Sequence, residues 1–251
     1  MITVKNLNMS FHGKRVLHNI SVTFDTGKTN LIIGMSGSGK TVLLKSISGL
    51  YEIDSGEIWY ENTLFNKLDF KEKKTIRSEI GMLFQGSALF DSLTVEQNVR
   101  FPLDMFTKKN PKEKKDRVNF CLNRVNILNS NKLFPAELSG GMKKRVAIAR
   151  AIALNPKYLF CDEPNSGLDP ITAILIDALI KEITEEYSMT TIVNTHDMNS
   201  VMEIGEKIVF ISDGIKCWEG SKNDILHSDC GTLNDFVFAN SLAKKLRDQR
   251  K

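Results

Sequence analysis

Gly34-Met35-Ser36-Gly37-Ser38-Gly39-Lys40-Thr41 has the spacing G-x-x-x-x-G-K-[ST], and its chemistry follows from its residue types. Glycines permit positive φ and close backbone approach, so successive N–H groups can turn inward around a polyphosphate. The apolar run Leu31-Ile32-Ile33 precedes the motif and the helical pattern Val42-Leu43-Leu44-Lys45-Ser46-Ile47 follows it, which puts the loop at the positive end of a helix. Lys40 is placed to reach β- and γ-phosphates, and Thr41 to set its hydroxyl on magnesium. A nucleoside triphosphate site using Mg2+ is the expectation.

A phosphate loop alone leaves kinases, GTPases, helicases and transport ATPases open. Further along, Leu138-Ser139-Gly140-Gly141-Met142 runs directly into Lys143-Lys144-Arg145-Val146-Ala147-Ile148-Ala149-Arg150-Ala151. Ser139 is a natural N-cap, and two glycines leave the first amides of the helix uncovered, a second place for an anion. Tyr158-Leu159-Phe160-Cys161 is an apolar strand ending in the carboxylates Asp162 and Glu163. Pro164-Asn165-Ser166-Gly167-Leu168-Asp169-Pro170 follows, and later Asn194-Thr195-His196-Asp197.

The elements that must position these groups can be read from periodicity. The first 30 residues are β-rich, with Ile20, Val22 and Phe24 alternating against polar neighbours and turns at Gly13 and Gly27. Short apolar bursts at Ile80 to Phe84, Tyr158 to Cys161, Thr191 to Val193 and Ile208 to Ile211 suit parallel strands covered on both faces. Helical stretches such as Lys40 to Leu50 and Pro170 to Tyr187 lie between strands, so βαβ units in an open α/β sheet are predicted. Between Gln85 and Pro156 the pattern turns helical, with Pro111 opening a helix through Val118, Leu122 and Val125. This stretch reads as a helical subdomain inserted in the α/β core. Phe236, Asn240, Ala243 and Leu246 or Arg247 recur at helical spacing, which predicts an amphipathic helix in the last segment, Leu233 to Lys251.

Composition narrows the function classes. The chain has 251 residues, 34 basic against 30 acidic, and the resulting net charge of +4 is too small to indicate nucleic acid. Basic runs such as Lys112 to Arg117 read as solvated helix faces. Cys121, Cys161, Cys217 and Cys230 show no close-spaced metal pattern, and Met1 to Lys5 alternates like a strand rather than a signal peptide. A cytoplasmic location is expected. The apolar stretch Ile171 to Ile183 is broken by Asp177, Lys181 and Glu182, short of the roughly 20 apolar residues that span a bilayer. Attachment to a membrane would therefore come through another protein.

Taken in order, these motifs resemble the ATP-binding cassette (ABC) family, over residues 1 to about 228. The matching elements are the Walker A loop at 34–41, Gln85 as the Q-loop glutamine, the signature at 138–142, Walker B at 158–163, the D-loop at 166–169 and the switch histidine His196. The resemblance implies a RecA-like P-loop NTPase core (1–85 and 156–228), α/β in class, with an N-terminal antiparallel β subdomain, an inserted helical subdomain (about 86–155) and a C-terminal extension (229–251). It implies that Gly34, Met35, Ser36, Gly37, Ser38, Gly39, Lys40, Thr41 and Val42 hold ATP, with Phe11 stacked on adenine. Thr41, Gln85 and Asp162 would hold magnesium, Asp162 through water. Glu163 would be general base or orienter for the attacking water, Gln85 would sense magnesium and the γ-phosphate, and His196 would bond that phosphate. An adjacent Asp-Glu at a strand end is expected to separate the two duties, because successive strand residues point to opposite faces. Two copies packed head to tail are implied too, each ATP lying between the phosphate loop of one and Ser139, Gly140 and Gly141 of the other.

Finer wording suggests a subgroup. Met82 to Val95, continuing through Asn98 to Leu103, together with Ser139-Gly140-Gly141-Met142-Lys143-Lys144-Arg145, is similar to ATPases of Mla-type phospholipid transporters, whose systems include MCE-domain proteins. An integral-membrane permease would then be a partner, docking on an apolar floor formed by Leu89 and Phe90. The chain would sit peripherally on the inner face of the membrane. Cassettes for lipoprotein release or polar-solute import remain the alternative, followed by soluble ABC ATPases.

Overall fold

The structure is a computed structural model that describes residues 1–238. In chain order its elements are β1 (Ile2–Phe11), β2 (Lys14–Phe24), β3 (Thr29–Ile33), α1 (Lys40–Ile47), β4 (Ser55–Tyr60), β5 (Thr63–Leu64), α2 (Phe70–Ser78) and β6 (Ile80–Leu83). There follow α3 (Val95–Phe106), α4 (Pro111–Arg124), α5 (Gly140–Ala151), β7 (Tyr158–Asp162), α6 (Pro170–Glu186), β8 (Thr190–Thr195), α7 (Met198–Ile204), β9 (Lys207–Ser212), β10 (Ile215–Gly220) and α8 (Gly231–Val237). The expected terminal helix is met as far as α8; Asn240, Ala243, Leu246 and Arg247 lie outside the described residues. Among the described residues no helix is long and apolar enough to cross a membrane.

Contacts divide the chain into two compact units. The first takes Met1–Asp25, Thr29–Lys67 and the described residues from Asn194 onward; the second takes Thr26–Lys28 and Leu68–Val193. Within the first, an antiparallel sheet runs β2-β1-β4-β5, turning at Gly13 between β1 and β2 with φ +78°. Alternation explains its burial: Ile2, Val4, Ile20, Val22 and Phe24 are inside while their neighbours are less so. In the same unit β3 pairs parallel to β9, from Asn30 opposite Lys207 to Ile33 opposite Phe210, and β9 carries antiparallel β10 on its other edge. All of β3 is buried, which suits its unbroken apolar run.

In the second unit β6 pairs parallel with β7, from Ile80 opposite Tyr158 to Leu83 opposite Cys161, and β8 lies on the far side of β7. Helices α3, α4 and α5 pack together in this unit. Their starts are set by side chains that satisfy the first free amides. Thr94 and Gln97 form a capping box on α3, Asn110 and Glu113 form one on α4 behind Pro111, and Ser139 caps α5. Asp169 caps α6 ahead of Pro170, its carboxylate accepting from the Thr172 amide at 3.0 Å. Hydrogen bonding from the Thr172 side chain, and next from its backbone amide, holds the Asp169 carboxyl below the usual aspartate range.

Candidate functional site

The phosphate loop lies in the first unit, and its backbone requires glycine at two points. Gly34 has φ +152°, and a Cβ there would come within 2.1 Å of the Ile211 carbonyl oxygen. Gly39 has φ +102° and forms the N-cap of α1, where a Cβ would meet Leu17 Cδ2 at 2.9 Å. Between them Met35, Ser36 and Gly37 are exposed. The buried Ser38 hydroxyl has no hydrogen-bond partner among the described residues, as befits a loop built around an anion that would supply one.

Lys40 is only 4% exposed, and its ammonium curls back to the Met35 carbonyl oxygen at 2.8 Å. A cation is thus held inside the loop beside the first amides of α1, where a polyphosphate would bring negative charge. Thr41, the next residue, accepts at its hydroxyl from the buried Asn194 amide at 3.0 Å. That contact orients the hydroxyl, an oxygen of the kind that hard cations such as Mg2+ take as a ligand. Val42 is half-buried on the same helix. His196 is exposed in the turn between β8 and α7, where the Thr195 hydroxyl accepts from the Asp197 amide at 3.0 Å. Phe11 ends β1 at 36% exposure, and its ring meets Tyr51 edge-on at 5.3 Å, a second aromatic that spacing did not reveal.

The second unit holds Gln85, Ser139, Gly140, Gly141, Asp162 and Glu163. Asp162 is the last residue of β7 and nearly buried. Glu163 lies beyond the strand with φ +46°, a left-handed conformation unusual for a glutamate. Strand alternation therefore does not part the two carboxylates, as the sequence had suggested; a left-handed turn does. The turn lets one Glu163 oxygen accept from the Gln85 side-chain amide at 2.8 Å. The two residues are 78 positions apart and meet directly.

Ser139 and Gly140 are exposed at the start of α5, with the Ser139 hydroxyl accepting from the Met142 amide at 3.3 Å. The glycines serve packing as well as openness, since a Cβ on Gly141 would come within 2.8 Å of Thr172 on α6. The same helix carries two long cations that motif reading left without a role. Lys144 is 4% exposed and donates from Nζ to the Gln85 carbonyl and, at 3.4 Å, to the Glu163 carbonyl. Burial pushes its ammonium below the usual lysine range, with Cys161, Glu163 and Asp162 pulling the other way. Arg150 donates to the carbonyls of Ser87 and Ala88, both at 2.8 Å. Lys144 shares a helix face with Ala147, Ile148 and Ala151, all buried; a charge on an apolar stripe was the available signal.

A groove of about 390 Å³ opens in this unit, lined by Phe84, Ala88, Phe90, Phe101, Pro102 and Arg150 among others. Phe90 packs on Phe101 with ring centroids 4.7 Å apart, and the Arg150 guanidinium lies over Phe90. Leu89, expected beside Phe90 on the floor, is half-buried and does not line the groove. Asn98 shapes the approach: fully buried, it bonds both the amide and the carbonyl of Phe90 and the carbonyls of Leu93 and Thr94.

Comparison with known proteins converges on one family. A family profile described as "ABC transporter" matches residues 17–166. The methionine import ATP-binding protein MetN of Carboxydothermus hydrogenoformans is 42% identical over 90% of this chain and 67% of its own. The mkl protein of Mycobacterium leprae, named for ribonucleotide transport, is 35% identical over 94% of this chain and 68% of its own. The chain thus spans about two thirds of the length of these curated relatives. Among solved structures, the dimeric bacterial ABC transporter cassette MJ0796 is 34% identical, with TM-score 0.82 over 88% of this chain and 99% of that one. CbiO1 of Clostridium perfringens, part of the transporter complex CbiONQ, gives TM-score 0.84 at 28% identity, covering 98% of both chains. The fold is that of the ABC cassette, a P-loop α/β core with an N-terminal antiparallel β subdomain and a helical subdomain. The chain belongs to the ABC transporter family, as an ATP-hydrolysing cassette.

Proposed function

We propose that this chain is the ATPase subunit of an importer for a small polar solute, docked on a separate integral-membrane permease and working as a head-to-tail pair with a second copy. The observation that carries the transport reading is the apolar groove, whose lining includes Phe84 and Ala88 on either side of Gln85. A partner helix seated there touches the loop that bears a hydrolytic side chain. The cargo reading is supported by relatives named for methionine import and ribonucleotide transport.

In the first unit, the loop amides and Lys40 would bind the triphosphate, Phe11 would stack on adenine and His196 would hydrogen-bond the γ-phosphate. Magnesium, when bound, neutralises charge on the phosphate oxygens. Thr41 offers it a hydroxyl, Gln85 an amide oxygen, and Asp162 a carboxylate reached through water. Glu163 would take the proton of the attacking water or orient it, with the Gln85 amide fixing one carboxylate oxygen. Ser139 and the uncovered amides at Gly140 and Gly141 would bind the phosphates held by the second copy. Binding of ATP across that pair would close it, and hydrolysis would open it.

A second cargo reading, phospholipid with an MCE-domain protein as partner, is favoured by the Mla-type wording of Met82 to Leu103 and of the signature. Purification of the native membrane complex separates the two. A polar solute that stimulates its ATPase supports import, whereas an MCE-domain protein and bound phospholipid would replace that cargo with lipid.

Two substitutions test the assigned surfaces. Phe101→Asp is expected to release the chain from its membrane complex, because an unpaired charge in the groove costs several kcal/mol. Phe90 is the poorer target, since Arg150 lies above it and would neutralise a carboxylate. Co-purification with the permease is the readout, and ATP affinity of the folded chain should stay near parental. Phe11→Ala is expected to weaken ATP binding about tenfold through lost base stacking, with Phe11→Tyr near parental. Equal nucleotide affinity in a titration of Phe11→Ala would remove the ring from the adenine site.

A further inference from the structure

We propose that Lys144 is a positioning residue for hydrolysis: from the buried face of α5 it holds the backbone at Gln85 and at Glu163 so that the Gln85 amide meets the Glu163 carboxylate. This rests on the reading of Glu163 and Gln85 as hydrolytic residues. Three bonds close a triangle, Lys144 to the Gln85 carbonyl, Lys144 to the Glu163 carbonyl and Gln85 to the Glu163 carboxylate. Lys144 is 4% exposed as a residue, so competition from water for these bonds is reduced.

The choice of acceptors is informative. Lys144 donates to main-chain oxygens of the two residues rather than to the carboxylate, so it fixes Glu163 without capturing the oxygens that must face water. Gln85, a neutral donor, takes one of those oxygens. The Glu163 backbone is left-handed, a conformation that persists only where its surroundings impose it. Its carbonyl is held by Lys144 and by the Ser166 amide at 3.2 Å. On the other side, Arg150 of the same helix grips Ser87 and Ala88, also left-handed. Helix α5 therefore clamps the segment that starts at Gln85 from both ends, and Lys144 is the clamp nearest the chemistry.

The test compares Lys144→Met, which keeps the chain's bulk but no donor, with Lys144→Arg, which keeps donors, in the full chain with its membrane complex. Lys144→Met is expected to lower kcat about tenfold or more while KM and directly measured ATP binding stay within about threefold, and Lys144→Arg to recover most of the loss. A folded Lys144→Met with kcat within about twofold of parent overturns the proposal. So does a loss shared equally by ATP binding and kcat that Lys144→Arg does not mend, since that marks a merely structural lysine. If Lys144→Met does not fold, Lys144→Leu, which also has no donor, takes its place, and the same kcat-against-KM split decides. Glu163→Gln runs alongside: if it hydrolyses ATP normally, the reading of the site falls and the role of Lys144 falls with it, whereas a dead Glu163→Gln beside a parental Lys144→Met sinks Lys144 alone.

Discussion

Glu163→Gln is expected to keep ATP bound while slowing its hydrolysis by about 10²-fold or more, the usual contribution of a positioned general base. The substitution preserves the shape of the side chain, and its amide oxygen can still accept from the Gln85 amide, so the loop should hold its conformation. What is lost is a site for the proton of water. Single-turnover hydrolysis with a parallel binding titration checks this, and the variant should accumulate as an ATP-bound pair of chains by size. Turnover near parental would take Glu163 out of the role and point to His196 or another group as the base.

Mixing two inactive variants should restore activity. Lys40→Ala removes the cation inside the phosphate loop, and Ser139→Arg fills the open end of α5, so each alone should fall to background. If sites are shared head to tail, a mixed pair has one site carrying both lesions and one carrying neither. Random pairing makes half the dimers mixed, so an equal mixture should reach about a quarter of parental ATPase activity if each intact site works by itself. Background activity, despite mixed dimers shown by a tag on one variant, would mean that the pairing is not head to tail or that both sites must fire together. Because Ser139 also caps α5, circular dichroism of Ser139→Arg should be compared with parent.

Much of the site was readable because its chemistry is local. The phosphate loop needs glycines, a lysine and a threonine within eight consecutive positions, and the neighbouring apolar runs say strand and helix. The starts of α4 and α6 were legible for the same reason, each with Pro at the first turn. Helix α2 escaped, since none of its residues is buried and it leaves no apolar stripe; the capping pair Asp69 and Glu72 was its trace. Lys144 and Arg150 escaped for another reason. They bond main-chain oxygens far away in sequence, and a carbonyl looks the same in every residue type. The turn at Glu163 was misjudged because the alternation rule was carried one residue past the point where β7 stops.

The grip of α5 on its neighbouring loop has a consequence for the order in which the protein becomes competent. Gln85 and Lys144 are 59 positions apart, and Ser87 and Arg150 are 63 apart, so the ribosome delivers the loop well before the helix that holds it. Ser87 and Ala88 sit in a left-handed backbone that costs on the order of 1–3 kcal/mol each without such support. A nascent chain stopped short of α5 has its phosphate loop complete in sequence but lacks the Lys144 and Arg150 bonds to residues 85, 87 and 88. Glu163 arrives later still. The phosphate loop thus leaves the ribosome first, and the contact between Gln85 and Glu163, with the α5 bonds that support it, forms only after Glu163 has followed.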